Sequence, residues 1–247
     1  MSFSADEIDR YARHLVLREV GGQGQQRLKA AKVLIIGAGG LGAPAALYLA
    51  AAGVGVVGLA DADTVSLSNL QRQVIYTVED VGRLKVDAAA KALNALNPHV
   101  QVDAHAIALD AGNVRQAIEG YDLVLDGTDD FQTRMAVNAA CVRSGKTCVS
   151  GAIGRWSGQV GVFSGGPCYQ CLVPEIPPDV ETCQTVGVVG ALAGVVGSMM
   201  ALEAIKLITG AGRSLAGQLL IYDSLTAQSR TVRITPDPSC PVCGQGG

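Results

Sequence analysis

Two pairs of cysteines in the 247-residue chain have the spacing of metal ligands. They are Cys168 with Cys171 and Cys240 with Cys243, and residues 172–239 separate the two C-x-x-C pairs. Four thiolates in two such pairs match tetrahedral structural zinc, which leaves no coordination position open for catalysis. We therefore predict a zinc site that ties the two segments together, with two reducible dithiols as the alternative.

The three remaining cysteines have no partner at metal-ligand spacing. Because the total of seven is odd and no export signal precedes the chain, a disulfide scaffold is not expected. Cys141 and Cys148 lie in a predicted helix and a predicted strand, so we expect both in the core. Cys183 follows residues 175–182, which we predict to be an exposed loop. Its thiol is a candidate to meet an activated acyl group, and a free loop cysteine is the alternative of equal weight.

A glycine-rich turn has the pattern of a nucleotide site. In the Gly37-x-Gly39-x-x-Gly42 pattern, the first glycine permits a tight turn, the second lets a phosphate approach the backbone, and the third allows close packing. The free N–H groups at the start of the following helix attract anions. Asp61 ends the next predicted strand, where a carboxylate can bind ribose hydroxyls. A packing turn with Asp61 as a cap is the alternative.

The segment after this turn favours a triphosphate over NAD. Residues 68–73, Ser-Asn-Leu-Gln-Arg-Gln, place several polar side chains in one loop. Asp80 is predicted to cap the next helix, which would put Arg83 and Lys85 in its first turn. Cations there oppose the helix dipole, and a bound polyanion would explain them. The alternative is a solvated basic helix start.

Two neighbouring carboxylates follow the fourth predicted strand. Asp129 and Asp130 belong to the Asp-Gly-Thr-Asp-Asp sequence that starts at Asp126. In an open α/β sheet the carboxyl ends of the strands form the ligand-binding edge. The pair can hold Mg²⁺, which takes few carboxylates and keeps phosphate oxygens as ligands. The alternative is that one of them only caps the helix predicted to begin at Phe131.

The elements that must position these residues alternate between strand and helix as far as residue 150. Predicted strands cover residues 33–36, 56–60, 101–108, 123–125 and 147–150, with helices at 41–52, 81–96, 113–119 and 130–144. Such spacing predicts a Rossmann-like parallel sheet with right-handed crossovers. Antiparallel strands are expected at 159–163, 219–222 and 230–234. The prediction is one α/β domain over 1–247, with a helical arm (1–30), a nucleotide-binding half (31–150) and an antiparallel, zinc-binding half (151–247).

Composition and the N-terminal segment add further expectations. Apolar residues make up 49% of the chain and the net charge is −3, which argues against a dominant attraction to nucleic acid or anionic lipid. Without a signal segment, we expect a cytoplasmic protein. Ser4 and Glu7 fit a capping box, and residues 21–24 are expected to break the helical arm. The apolar run 186–202 is expected to be a buried helix rather than a membrane span.

In combination, these motifs resemble the bacterial ubiquitin-activating-like adenylyltransferases, the MoeB, ThiF and HesA family. The resemblance extends from about residue 10 to residue 243 and includes Asp61-Ala-Asp63. It implies ATP-dependent adenylation of the C-terminal Gly-Gly of a small ubiquitin-like sulfur carrier, MoaD-like or ThiS-like. It also implies a homodimer with structural zinc. Because no rhodanese domain follows Cys243, a separate protein would donate the sulfur.

The resemblance also implies roles for individual residues. Arg13 would reach into the partner subunit's site, and Cys183 matches a loop cysteine that engages the carrier. The family usually has asparagine at the position of Asp130, so this chain departs from the pattern there. The residues expected to contact ATP or its Mg²⁺ are Gly37, Gly39, Gly40, Gly42, Asp61, Asp63, Ser68, Asn69, Arg72, Gln73, Lys85, Asp129 and Asp130.

Two other functions remain open at this point. One is an NAD(P)-dependent oxidoreductase on the same fold, which is disfavoured because His14, His99 and His105 lie outside the motifs. The other is a non-catalytic scaffold that binds a ubiquitin-fold partner. The motifs do not distinguish a molybdopterin pathway from a thiamin pathway.

Overall fold

The computed structural model describes residues 2–176 and 187–244. Its strands are β1 (Lys32–Ile36), β2 (Val56–Ala60), β3 (Gln101–His105), β4 (Leu123–Asp126), β5 (Thr147–Gly154), β6 (Ser157–Phe163), β7 (Gln218–Asp223) and β8 (Gln228–Arg233). Its helices are α1 (Ala5–Arg10), α2 (Ala12–Leu15), α3 (Gly21–Ala30), α4 (Gly42–Ala51), α5 (Lys85–Leu96), α6 (Val114–Ile118), α7 (Phe131–Arg143), α8 (Tyr169–Leu172) and α9 (Gly190–Thr209).

The eight strands form one mixed sheet in the order β3-β2-β1-β4-β5-β6-β7-β8. The pairs from β3 to β5 are parallel, as expected for strands connected through helices. The pairs from β5 to β8 are antiparallel and extend the same sheet. The predicted fold, a Rossmann-like parallel sheet extended by antiparallel strands, is therefore confirmed.

Both faces of the parallel strands β1, β2 and β4 are buried. Along β1, Val33 and Ile35 pack with α4, α5 and α9 on one face. Leu34 and Ile36 alternate with them and pack with α6 and α7 on the other. A strand covered on both sides reads as a continuous apolar run, which is why β1 is so clear in the sequence.

The longest helix, α9, lies against the sheet. Its length of 20 residues and its mean hydropathy of 1.7 would suffice for a membrane span on length and composition alone. However, its Leu192, Val196 and Met200 belong to the main core cluster. A side chain at Gly151 of β5 would come within 2.4 Å of Met200 Sδ, so helix and strand are in close contact. The expectation of a buried helix is confirmed over the described part of this run.

The N-terminal arm differs from its prediction in one place. The capping box of α1 is present, since Ser4 Oγ accepts from Glu7 N at 3.2 Å and Glu7 accepts from Ser4 N at 2.8 Å. The predicted break at residues 21–24 is wrong, because α3 begins at Gly21. A side chain at Gly24 would lie 3.4 Å from Thr209 Cβ. Tertiary packing against the end of α9 therefore overrides the low helix propensity of the glycines.

The predicted N-cap at Asp80 is also wrong. Asp80 ends a 3₁₀ turn (Val78–Asp80), and α5 begins only at Lys85. The Asp80 carboxylate accepts hydrogen bonds from Thr77 N and Thr77 Oγ1, both at 2.9 Å. The sequence Thr77-x-x-Asp80 thus forms a local turn through its own side chains. Arg83 lies before the helix and not in its first turn.

The hydrogen bonds from Thr77 lower the pKa of Asp80, which makes stability dependent on pH. A carboxyl with a depressed folded-state pKa stabilises above its unfolded pKa, and this contribution is lost as pH falls through the folded value. We expect Asp80→Asn to cost about 1 kcal/mol at pH 7, and the cost should disappear as pH falls through the lowered pKa of the folded carboxyl. Urea unfolding across this pH range measures the difference. The control is Glu79→Gln at an exposed neighbour, and an equal loss in both variants would contradict the assignment.

Candidate active site

A cavity of about 490 Å³ lies at the carboxyl ends of β1, β2 and β4. This is the point where the sheet order reverses, because β1 pairs with β2 on one side and with β4 on the other. Ligands of open α/β sheets bind at such a switch point. The predicted site residues that line the cavity are Gly37, Gly39, Gly40, Asp61, Asp63, Asn69, Arg72, Gln73, Lys85, Asp129 and Asp130.

The glycine turn leaves its backbone accessible from the cavity. Gly37 has φ +85°, a conformation that other residues adopt only with strain. A Cβ at Gly42 would lie 1.9 Å from Gly37 O, so the helix α4 can start here only with glycine. Gly42 itself is buried and does not line the cavity. Its role in the structure is the close packing that the motif predicts.

Gly42→Ala tests this packing. The added methyl group must displace the backbone of Gly37, so we expect a loss of roughly 2 kcal/mol in the free energy of unfolding. Gly194→Ala is the matched control, because among the described residues no atom outside the local backbone of α9 lies within 4 Å of the added Cβ. The control should change stability by less than about 1 kcal/mol, in the stabilising direction. Similar results for both variants in denaturant unfolding would refute the packing argument.

The carboxylate of Asp61 is fixed by backbone donors. Its two oxygens accept from Ala38 N and Asp63 N, each at 2.8 Å. Lys85 Nζ lies 3.8 Å from Asp61 Oδ2 and 2.7 Å from Asp63 Oδ2. Burial raises the pKa of Asp61, and the Lys85 ammonium opposes that shift. The arrangement places a hydrogen-bond acceptor and a cation together on the cavity wall.

The polar loop beside the glycine turn presents both a cation and a buried amide. Arg72 lines the cavity, and its Nη1 donates to Ser68 O at 3.1 Å. Asn69 Oδ1 accepts from Ser66 N at 3.1 Å, which fixes the start of this loop. Gln73 is buried, and its Oε1 has no hydrogen-bond partner within the described residues. A buried acceptor without a donor is costly, so this atom indicates a ligand or water in the cavity.

The two neighbouring aspartates have different positions. Asp130 is the N-cap of α7 and accepts from Thr133 N at 2.7 Å. Partial burial tends to raise the pKa of Asp130, but the hydrogen bonds from Thr133 outweigh it and lower the pKa. Asp129 is exposed at the cavity edge. Asp129 is therefore better placed than Asp130 for a magnesium ligand, and the cap explains the second carboxylate.

Sequence reasoning missed a buried arginine beneath this edge. Arg134 lines the cavity floor, with its Nε 3.6 Å from Asp126 Oδ2. Its Nη1 donates to Ser150 Oγ at 2.8 Å, and its Nη2 donates to Thr128 O and, at 2.9 Å, to Gly151 O. A cation one helical turn after the N-cap of α7 was the available signal, since helix starts disfavour cations.

The four predicted zinc ligands lie together. Their sulfur atoms are all within 4.8 Å of one another, with 3.7 Å between Cys168 and Cys240 and 3.4 Å between Cys171 and Cys243. A tetrahedron with Zn–S bonds of about 2.3 Å has edges of about 3.8 Å, so this donor set fits zinc. Burial raises the pKa of Cys168 and Cys243, whereas at Cys240 the backbone N–H groups of Cys243 and Val242 outweigh burial and lower the pKa. The fit to zinc therefore rests on the geometry of the four sulfur atoms.

Besides Gly42, two of the predicted residues that the structure describes do not line the cavity. Ser68 does not line it, and its hydroxyl contacts Ser66 Oγ at 2.9 Å. Arg13 is exposed on α2 and does not line the cavity of its own chain. Cys183 lies outside the described residues. Cys141 and Cys148 are buried, as expected for core residues.

Comparison with known proteins identifies the family. The ThiF family profile matches residues 11–242. The chain is 49% identical to the "Sulfur carrier protein adenylyltransferase" of Thermus thermophilus, covering 99% of this chain and 93% of that protein. It is 44% identical to the "Molybdopterin-synthase adenylyltransferase" of Escherichia coli K12, covering 98% of both.

Solved structures show the same fold. Escherichia coli MccB superposes with a TM-score of 0.86 at 24% identity, covering 99% of this chain and 74% of MccB. A structure of MccB with ATP gives a TM-score of 0.82 at 25% identity, covering 96% of this chain and 74% of that one. The family profile, which matches residues 11–242, and the two relatives named above indicate the same family. This chain therefore belongs to the ThiF family.

Proposed function

We propose that this protein adenylates the C-terminal Gly-Gly carboxylate of a small ubiquitin-like sulfur carrier. The observation that carries the proposal is one cavity that combines the glycine turn, Arg72, Lys85 and Asp129. The names of the relatives in Thermus thermophilus and Escherichia coli both denote adenylyltransferases. These names favour adenylyl transfer over the oxidoreductase and scaffold alternatives.

The residues of the cavity fit MgATP. Asp61 presents a fixed carboxylate for the ribose hydroxyls, and the turn at Gly39 lets phosphate groups approach the backbone. Arg72 and Lys85 supply positive charge beside that turn. Asp129 would hold Mg²⁺ through an exposed carboxylate. The unpartnered Gln73 Oε1 supports a polar ligand in this position.

The reaction needs positioning more than proton transfer. The carrier's carboxylate is already a competent nucleophile toward the α-phosphate, so no general base is required. The protein's task is to align the groups and to neutralise the charge that develops as pyrophosphate leaves. Arg72 and Lys85 are suited to this task, and we propose that Arg13 from a second subunit adds a further cation.

The proposal also includes a structural metal ion, a second subunit, a sulfur donor and the identity of the carrier. The four-cysteine cluster would hold Zn²⁺ as a structural clamp, and the enzyme would act as a homodimer in the cytoplasm. A separate protein would supply sulfur, and Cys183 would engage the carrier after activation. The name of the Escherichia coli relative supports a MoaD-like carrier of molybdopterin synthesis, with a ThiS-like carrier of thiamin synthesis as the second candidate.

Carrier-dependent ATP–pyrophosphate exchange tests the proposal. The protein is mixed with MgATP, labelled pyrophosphate and either a MoaD-like or a ThiS-like carrier. Exchange should require the carrier and should fall to background when the carrier's last glycine is deleted. No exchange with any Gly-Gly carrier, together with tight NAD binding, would overturn the assignment in favour of an oxidoreductase.

A further inference from the structure

Buried contacts join the floor of the nucleotide cavity to the cysteine cluster. At the cavity end, Arg134 donates to Thr128 O and Gly151 O and lies near Asp126. Thr128 immediately precedes Asp129, so the guanidinium holds the backbone from which the proposed magnesium ligand projects. The side chain of Arg134 is only 5% exposed, and its hydrogen bonds go to protein atoms.

The same helix reaches the cysteine cluster one turn later. Asn138 Oδ1 accepts from Tyr169 N at 2.8 Å, and Asn138 Nδ2 lies 3.5 Å from Cys168 Sγ. Tyr169 lies between the two cysteines of the first C-x-x-C pair. The centroid of its ring is 5.3 Å from the guanidinium carbon of Arg134. Arg134 and Asn138 are four residues apart, so they share one face of α7. The chain of contacts is therefore continuous from a metal-binding sulfur to the cavity.

We propose that Arg134 is a positioning residue whose placement by Tyr169 and Asn138 couples metal occupancy of the cysteine cluster to nucleotide binding. A metal that fixes the first cysteine pair fixes the ring of Tyr169, and the ring in turn restrains the guanidinium. The guanidinium then keeps the Thr128 carbonyl, and with it Asp129, in its position at the cavity. The identity of the nucleotide rests on the proposed function, whereas the coupling rests on these contacts.

Lysine cannot replace Arg134 in this arrangement. The guanidinium is planar and donates in several fixed directions at once, whereas an ammonium is a single charge on a flexible stem. A lysine at this position would keep the charge beside Asp126 but lose the simultaneous contacts with Ser150, Thr128 and Gly151. The substitution Arg134→Lys therefore separates the charge of this residue from its geometry.

Reciprocity of coupled sites gives a measurement that does not depend on turnover. If metal occupancy favours ATP binding, bound ATP must favour metal retention by the same factor. In equilibrium competition with a chromogenic chelator, saturating ATP should lower the zinc dissociation constant of the protein by about fivefold or more, the usual range for coupled sites. Arg134→Lys should bind zinc stoichiometrically, bind ATP roughly tenfold more weakly, and show less than about a twofold change in zinc affinity at saturating ATP.

Two further variants keep the test decisive. Arg143→Lys makes the same chemical change at an exposed position of α7 and should behave as the unmodified protein. Tyr169→Leu keeps an apolar side chain and all four cysteines but removes the ring beside Arg134. Tyr169→Leu should abolish the effect of ATP on zinc affinity, and it tests the coupling if Arg134→Lys fails to fold.

The outcomes separate this inference from the proposed function. ATP binding without any change in zinc affinity in the unmodified protein would overturn the coupling, as would the full ATP effect on zinc affinity in both Arg134→Lys and Tyr169→Leu. An ATP effect that depends on Arg134, without carrier-dependent exchange, would support the coupling and contradict the proposed substrate. Absence of ATP binding would overturn both.

Discussion

Asp129→Ala is expected to reduce carrier-dependent ATP–pyrophosphate exchange by roughly a hundredfold or more, with the fold unchanged. Asp129 is exposed at the edge of the cavity, so its removal should cost less than about 0.5 kcal/mol of stability. The loss of activity would follow from the loss of a magnesium ligand beside the phosphates. Exchange assays, with the thermal midpoint measured in parallel, distinguish an active-site effect from unfolding.

Asp130→Asn is the matched control for this variant. Asparagine caps helices as well as aspartate does, so the hydrogen bond to Thr133 N should persist. The control should retain exchange within about threefold, because the structure gives Asp130 a capping role. A hundredfold loss in Asp130→Asn and little loss in Asp129→Ala would reverse the two assignments.

The second large effect is expected at the cysteine cluster. Cys240→Ser should abolish stoichiometric zinc binding, because a serine hydroxyl is a poor replacement for a thiolate. Zinc binding contributes directly to folding free energy, so we expect a loss of roughly 4 kcal/mol or more. For a chain of this size, that loss lowers the melting temperature by roughly 8–16 °C. Elemental analysis and scanning calorimetry give the two quantities.

Cys141→Ala controls for the removal of a buried sulfur. Cys141 is buried in α7 outside the cluster, so its loss should leave zinc content at one ion per chain. A small loss of stability is expected from the missing core atoms. A purified protein without zinc, or full zinc retention in Cys240→Ser, would contradict the structural clamp.

Local patterns made much of the fold predictable from the sequence. β1 and β2 are buried apolar runs, and Gly37 and Gly42 occupy positions in the turn into α4 that only glycine fills without strain. The cysteine cluster could be predicted because the spacing within each C-x-x-C pair is a local feature of the sequence. Alternation of strand and helix then predicts parallel pairing with right-handed crossovers. The fold and family predictions are both confirmed.

The features that were missed depend on distant contacts. The segment Gly21–Ala30 is helical although it is rich in glycine, and its Gly24 packs near Thr209, the last residue of α9. Arg134 of α7 gains its role from Ser150 and Gly151, which belong to β5. Periodicity within one segment carries no information about such partners. The positions of Arg13 and Cys183 relative to substrate stay predictions, since one depends on a second subunit and the other lies outside the described residues.

The separation of the two cysteine pairs imposes an order on biosynthesis. Cys168 and Cys171 leave the ribosome before α9, β7 and β8, and their partners follow only after all three elements. The nucleotide-binding strands can therefore assemble before all four ligand thiols are available. A chain interrupted before residue 240 would carry two unpaired ligand thiols and a sheet without its clamp. Binding of zinc by all four thiolates would thus require that the antiparallel strands have already been synthesised, and nearly folded chains would accumulate when zinc is scarce.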